Sequence, residues 1–252
     1  MNAEATASQA ATRRSLITRF ASCGADVIEA QRLRYRVFRE ERGELDSGDE
    51  SQVDRDDLDP FCEHLLVCEP TSGHVVGTYR ILPGERAGSA GGFYSEHEFN
   101  FGAGIASIMH RAIEVGRACV APDWRNGAVI MRLWAGLAAF AANHGYEYMA
   151  GCSSVRIDSD PARAASICRE AMRTNSGPAS WKVSPRIPFS LEVAPYGSPV
   201  TMPPLLKGYL RLGAYVCGAP AWDRDFDTAD LFTVLPINRL DERYVRRFFG
   251  NA

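Results

Sequence analysis

The sequence lacks the marks of several protein classes. Its apolar run Ala135–Ala142 is less than half of the roughly 18–20 residues that a membrane span needs. No C-x-x-C pair occurs among its seven cysteines: Cys23, Cys62, Cys68, Cys119, Cys152, Cys168 and Cys217. Their odd number suits reduced thiols better than a disulfide frame. The five histidines are scattered, so no His/Cys metal cluster is visible and no metal is expected. An excess of one charge is also missing. The net charge of −3 argues against bulk electrostatic binding of nucleic acid. Arg13-Arg14 invites comparison with a twin-arginine export signal, but Arg19 soon interrupts the apolar stretch that should follow. A cytoplasmic protein is expected.

Apolar residues make up 46% of the chain and charged residues 23%, enough for a substantial core. Residues 1–14 are rich in Ala, Ser and Thr, and a disordered tail is expected over 1–20. That leaves 21–250 as a single domain.

Asp26 followed by Glu29 reads as a capping box for a helix to about Arg39. Residues 44–59 form an acidic loop. Strands at His64–Cys68 and Val75–Leu82 flank Pro70-Thr71-Ser72-Gly73, a hairpin signal. Residues 83–104 are Gly-rich and read as loop, with a short helix at Ser95–Phe99. Ile113–Val120 is a strand, and a helix from Gly127 to Asn143 carries Val129, Leu133, Leu137 and Phe140 on one stripe. A strand at Tyr146–Ser153, a helix from Pro161 to Met172 and an edge strand around Ile187–Val193 follow. The last elements are helices at Leu205–Gly213 and Leu240–Phe249, with a strand at Leu231–Pro236 between them. The pattern predicts an α/β fold, a central mixed β-sheet with helices on both faces.

The most informative stretch is Ile113–Asn143. Its strand leads through Pro122-Asp123-Trp124 into Arg125-Asn126-Gly127-Ala128, which opens the long helix. A helix start presents unpaired N–H groups and a favourable dipole, so this segment reads as a phosphate cradle to which Arg125 adds a charge. The bland alternative is that Gly127 merely eases a tight turn.

Glu114 interrupts an apolar strand. A carboxylate there is costly unless paired, and it is a candidate general base or a holder of an ammonium. The competing reading is a structural ion pair with Arg80 or Arg117. Arg34, Arg80 and Arg117 are candidates for gripping a carboxylate or for ordering the acidic loop. Asp56, Asp59 and Glu96 are candidates for recognising a cationic partner, against the ordinary reading of a solvated charge run. His64 reads as a core histidine, and Cys119 and Cys152 as core thiols.

The segment V-A-P-D-W-R-N-G-A resembles the pantetheine-binding segment of the GNAT superfamily, and so implies the GNAT-like acyl-CoA N-acyltransferase fold. On that resemblance Val120, Arg125, Asn126, Gly127 and Ala128 would bind the acyl donor, with a strand N–H stabilising the oxyanion. Arg34-Tyr35-Arg36-Val37-Phe38, Asp56, Asp59, Arg80, Glu114 and Arg117 resemble the signature of acyl-homoserine-lactone synthases. The blocks C-E-H-L-L (62–66), G-G-F-Y-S-E (91–96), N-G-A-V-I-M (126–131), L-L-K-G-Y-L-R-L-G-A (205–214) and T-A-D-L-F-T-V-L-P (228–236) resemble the ornithine N-acyltransferases of ornithine-lipid synthesis.

That family resemblance implies transfer of a 3-hydroxyacyl group from acyl carrier protein to the α-amine of ornithine, giving lyso-ornithine lipid. The phosphopantetheine thioester is then a co-substrate, and no cofactor is expected. Acyl carrier protein is acidic, so Arg125, Arg132, Lys207 and Arg211 are candidates for its docking surface. A lipid product implies peripheral contact with the inner face of the membrane, through a helix around Ser15–Phe20 or through the Pro-rich loop. Alternatives are an N-acyl amino acid synthase for another amino acid, an autoinducer-type synthase, and a non-catalytic acyl-carrier or lipid-binding module.

Overall fold

The structure is a computed structural model that describes residues 16–42, 51–158, 160–193 and 200–240. Its strands are β1 (Ile17–Phe20), β2 (Glu63–Cys68), β3 (Val75–Pro83), β4 (Phe99–Asn100), β5 (Ala112–Val120), β6 (Tyr148–Arg156), β7 (Ser184–Pro185), β8 (Tyr215–Val216), β9 (Ala221–Asp223) and β10 (Thr228–Pro236). Its helices are α1 (Gly24–Phe38), α2 (Ala103–Met109), α3 (Ala128–His144), α4 (Pro161–Thr174) and α5 (Pro204–Leu212). Among the described residues no helix is long and apolar enough to cross a membrane. Contacts divide the chain into two compact units, where the sequence reading takes 21–250 as one domain. The first unit holds 1–82 and 115–140, and the second holds 83–114 and 141–250.

In the first unit β1 pairs antiparallel with β2, and β2 with β3. The strand order continues from β3 to β5. Every residue of β3 is buried, as are all but the first of β2, because helices cover both faces. Successive side chains of a strand point to opposite faces. Leu66 and Cys68 pack with Ala30 and Leu33 of α1, while Leu65 lies under Gly136 of α3. Gly77 lets α3 approach, since a Cβ there would fall 2.3 Å from Val129 Cγ1. The stripe expected on α3 is fully inward: Val129, Leu133, Leu137 and Phe140 are buried.

In the second unit Ala112–Glu114 of β5 pairs parallel with Tyr148–Ala150 of β6, and β6 pairs antiparallel with β10 along nine residues. β8 and β9 add to β10. Ala229 and Leu231 of β10 and Val155 of β6 meet Ala164, Ile167 and Cys168 of α4. The alternation therefore puts Asp230, Phe232, Cys152 and Ser154 on the opposite face. Phe232 there touches Phe99 and Phe101.

Several expectations are corrected. Ile17–Phe20 is a strand paired with Leu65–Cys68, neither tail nor helix. Backbone partners on β2 satisfy it, so it is not a membrane-binding helix. The Asp26/Glu29 capping box does not form. The N-cap is Cys23, and Asp26 instead accepts from Ser22 N and pairs with Arg19. No strand runs through Ile187–Val193; Pro185 and Pro188 leave only β7 and one bridge, Pro188 to Ala221. Within 83–104 there are two 3₁₀ turns, Gly84–Arg86 and Tyr94–His97, and then β4 and the start of α2. The closing helix expected beyond Leu240 lies outside the described residues.

The packing of α2 yields a stability test. A Cβ on Gly104 would fall 1.8 Å from the Ser180 carbonyl oxygen, whereas one on Gly88 meets open space. Gly104→Ala is expected to cost about 1–3 kcal/mol in urea unfolding, as overpacking does. Gly88→Ala is expected to stay within about 0.5 kcal/mol.

Candidate active site

The helix start lies in the first unit. Gly127 takes a left-handed backbone angle, φ +88°, that favours glycine, and it is exposed with Asn126. Asn126 Oδ1 accepts the Ala128 N–H at 3.1 Å. One of the donors expected to face a phosphate is thus held by the chain itself. Arg125 is exposed; its Nε donates to the Val120 carbonyl at 3.0 Å, and Nη2 pairs with Glu41 at 2.7 Å. Val120 is half-buried at the end of β5.

Five of the predicted residues meet in one network, also in the first unit. Arg34 is 1% exposed and uses all three nitrogens: Nε on Asp54, Nη1 and Nη2 on Asp59. Its Nη2 also reaches the Asp54 carbonyl. Arg80 Nη1 bridges Asp56 and Asp59. Arg117 pairs with Asp54 at 3.3 Å and Asp56 at 3.2 Å. Gln31 adds a fourth donor to Asp59. Arg117 sits at φ +50°, an uncommon backbone angle for a residue other than glycine. Burial alone would raise the Asp59 carboxyl; the hydrogen bonds and charge of Arg34, then Arg80, outweigh it and hold the carboxyl well below the usual range.

Three guanidiniums here face three carboxylates. Each buried charge is matched, as buried charge must be. Arg34 is not a solvated helix residue: its donors are engaged inside the fold. Four donors surround Asp59. Arg34 does perform the other role considered for it, ordering the described part of the acidic loop. His64 is a core histidine: buried, with Nε2 3.3 Å from the Asp59 carbonyl oxygen. Burial lowers its pKa below the ordinary value.

Glu114 is in the second unit and is 6% exposed. It accepts from Tyr94 N at 2.7 Å, from Ser95 N at 2.9 Å and from the Ser95 hydroxyl. Three donors of this kind stabilise a carboxylate anion. Glu96, expected to meet an ammonium, instead accepts from Phe93 N at 2.8 Å and closes the Tyr94–His97 turn. A cap carboxylate held this way is committed to the backbone.

Sequence reasoning missed three acids on the same face of the second unit. Asp230 on β10 is 2% exposed and accepts from Thr228 and Ser154. Glu98 follows the Tyr94–His97 turn, and both its carboxylate oxygens are buried without a donor. Asp223 ends β9; it caps Asp225 N and Phe226 N and accepts from the Tyr94 hydroxyl at 3.4 Å. Asp230 interrupts an apolar strand as Glu114 does, and that signal was available. Glu98 carries no such signal, because its segment has no periodicity. Cys152 adjoins these acids. Burial, then the charges of Glu98, Asp230 and Glu114, raise its thiol pKa well above the ordinary value. Cys119 is pushed up to about 12 by burial. Neither is the thiolate that a nucleophile requires.

Comparison with known proteins agrees with this architecture. The family model for the acetyltransferase (GNAT) domain matches residues 33–135. A CoA-dependent acyl-homoserine lactone synthase, BjaI, solved with MTA, superposes with a TM-score of 0.52 at 16% identity, covering 94% of this chain and 92% of that one. The fold is that of the GNAT acyltransferases, and the protein is an N-acyltransferase of this class. The L-ornithine N(alpha)-acyltransferase of Brucella abortus (strain 2308) is 35% identical over 94% of this chain and 90% of its own length. That of Rhizobium meliloti (strain 1021) is 34% identical over 94% and 86%. The chain belongs to the L-ornithine N(alpha)-acyltransferase family.

The ion-pair network sets an acid limit on stability. Asp59 has a depressed folded pKa, so its contribution is complete above the unfolded value of about 4 and is lost as pH falls below it. Asp59→Asn is expected to cost about 3 kcal/mol or more at pH 7, since two buried guanidiniums lose a partner. Urea unfolding from pH 7 to pH 3 is also expected to show a shallower decline in the variant than in the wild type.

Proposed function

We propose that the chain transfers a 3-hydroxy fatty acyl group from the phosphopantetheine thioester of acyl carrier protein to the α-amine of L-ornithine, releasing lyso-ornithine lipid and free carrier protein. The observation that carries the acceptor is the nearly end-to-end match to relatives named L-ornithine N(alpha)-acyltransferase. The donor and the lipid product rest on the resemblance of the sequence blocks to enzymes of ornithine-lipid synthesis.

The chemistry needs a neutral amine, a stabilised oxyanion and two reactants held together. The α-ammonium gives up a proton. Its nitrogen then bonds to the thioester carbon while the carbonyl electrons move onto oxygen. Collapse of that intermediate breaks the carbon–sulfur bond, and the thiol leaves protonated. Glu114 suits the first step: an anionic carboxylate, fixed by Tyr94 and Ser95, draws the ammonium and takes its proton directly or through water. The segment Val120 and Arg125–Ala128 serves the donor, with Gly127 leaving room for the pantetheine arm. No cofactor beyond the thioester is invoked.

A lipid product also needs a route to the bilayer. In the second unit Ile187, Val193 and Trp222 are exposed apolar side chains. The Arg224 guanidinium lies 4.9 Å over the Trp222 ring. A Trp beside a cation suits the membrane interface.

The test is mass spectrometry of products from purified protein, 3-hydroxyacyl carrier protein and each common amino acid offered in turn. N-acyl-ornithine is the expected product. Absence of any N-acyl product would overturn the reading, and a different acylated amine would replace the acceptor. Glu114→Gln is expected to lower kcat by about 100-fold or more, in line with loss of acid–base catalysis. Near-normal turnover would remove the base role.

A further inference from the structure

Resting on the reading that ornithine is the acceptor, the second unit carries a feature that this reading alone does not explain. Its acids are not matched. Among the described residues, no Lys, Arg or His pairs with Glu98, Asp223 or Asp230. An oxygen of Glu98, an oxygen of Asp230 and Cys152 Sγ all lie within 4.8 Å of one another. Clustering alone would mean little. The independent observation is that both Glu98 oxygens are buried and have no donor. Unpartnered buried polar atoms are rare in folded proteins and call for a ligand or a proton. The nearest substitutes within the chain are a proton shared with Asp230 and the Cys152 thiol. Burial, then the charges of Asp230 and Asp223, raise the Glu98 carboxyl well above the ordinary range.

The cluster also adjoins Glu114. Glu114 pairs in register with Ala150, and Cys152 lies two residues further along the same face of β6. Tyr94 links them from above: its N–H donates to Glu114 and its hydroxyl to Asp223. The ring of Phe232, packed on Phe99 and Phe101, supplies an apolar wall on that face.

We propose that Glu98 and Asp230, with Asp223 at their edge, form the subsite that takes the side-chain ammonium of the diamino acid acceptor, with its methylenes against Phe232. An ammonium offers three donors to an acceptor-only cluster and supplies the missing positive charge. A divalent metal held by the two carboxylates and the Cys152 thiol is the competing occupant, which chelation separates from an ammonium. The sequence reading gave this role to Asp56, Asp59 or Glu96, all of which the fold uses internally.

The test compares L-ornithine with L-norvaline, which has the same carbon chain but no terminal amine. Wild type, Glu98→Gln and Asp230→Asn are assayed for kcat and KM with each acceptor, with melting temperature as a check on folding. Wild type is expected to favour ornithine by at least about tenfold in kcat/KM, as a buried charge-assisted contact implies. In both variants that ratio is expected to collapse, through a higher KM for ornithine rather than a lower kcat. Glu98→Gln is also expected to melt no lower than wild type, because an amide replaces a buried carboxyl that has no donor and can itself donate to Asp230. A wild type that uses the two acceptors equally overturns the proposal without any variant. So does a variant that loses both activities in parallel, which marks a structural role, or one that retains the ornithine preference. Loss of activity in EDTA with recovery on adding a divalent metal overturns it in favour of a metal site. If wild type acylates norvaline or another amino acid but never ornithine, the acceptor reading itself fails, and this subsite falls with it.

Discussion

A guanidinium taken out of water must meet its countercharge at close range, and the first unit is organised around that requirement at Arg34. Arg34 is 1% exposed in the middle of α1, where an apolar residue would ordinarily stand. Its fork of donors fits carboxylates on Asp54 and Asp59, and so ties the segment before β2 to the helix. Arg80 on β3 closes the network from the sheet side, and Arg117 from β5. The arrangement is expensive in desolvation and gains little in net stability over a packed apolar core. What it contributes is position: it fixes α1, the 54–59 segment and two strands in one register.

Charge matching also separates scaffold from site. In the network three guanidiniums are set against three carboxylates. The acids of the second unit do not cancel. Their imbalance is a local cost, and local costs in an otherwise consistent fold tend to mark function. The sheet alternation explains why the imbalance is concentrated. Glu114, Cys152 and Asp230 occupy positions of the same parity on β5, β6 and β10, so one face collects them all. The other face of β6 and β10 is the apolar contact with α4.

Legibility from sequence followed the strength of each local signal. The hairpin of β2 and β3, the long α3 with its apolar stripe and the Pro161 helix start were readable because period, turn and cap agreed. Helix α2 was not: G-A-G-I-A-S-I mixes glycine with a short apolar pattern, and its stability comes from packing that no local pattern announces. The strand at Ile17–Phe20 was hidden because four residues are too few to show alternation. At the site, the family resemblance groups Arg34, Asp56, Asp59, Arg80, Glu114 and Arg117. It did not separate those that hold the fold from those that face chemistry, since that depends on partners distant in sequence. Glu98 was invisible for the same reason: its meaning comes from Asp230, more than a hundred residues away.

Glu114 shows how a single residue serves both demands. The cost of burying it is offset in part by backbone donors from Tyr94 and Ser95, which stabilise a carboxylate anion. Within the first unit Arg80 and Arg117 engage Asp56 and its neighbours. Within the second the Tyr94–Ser95 turn holds the Glu114 carboxylate with dipoles that orient it. A carboxylate fixed in this way is what a positively charged nucleophile needs before it loses its proton.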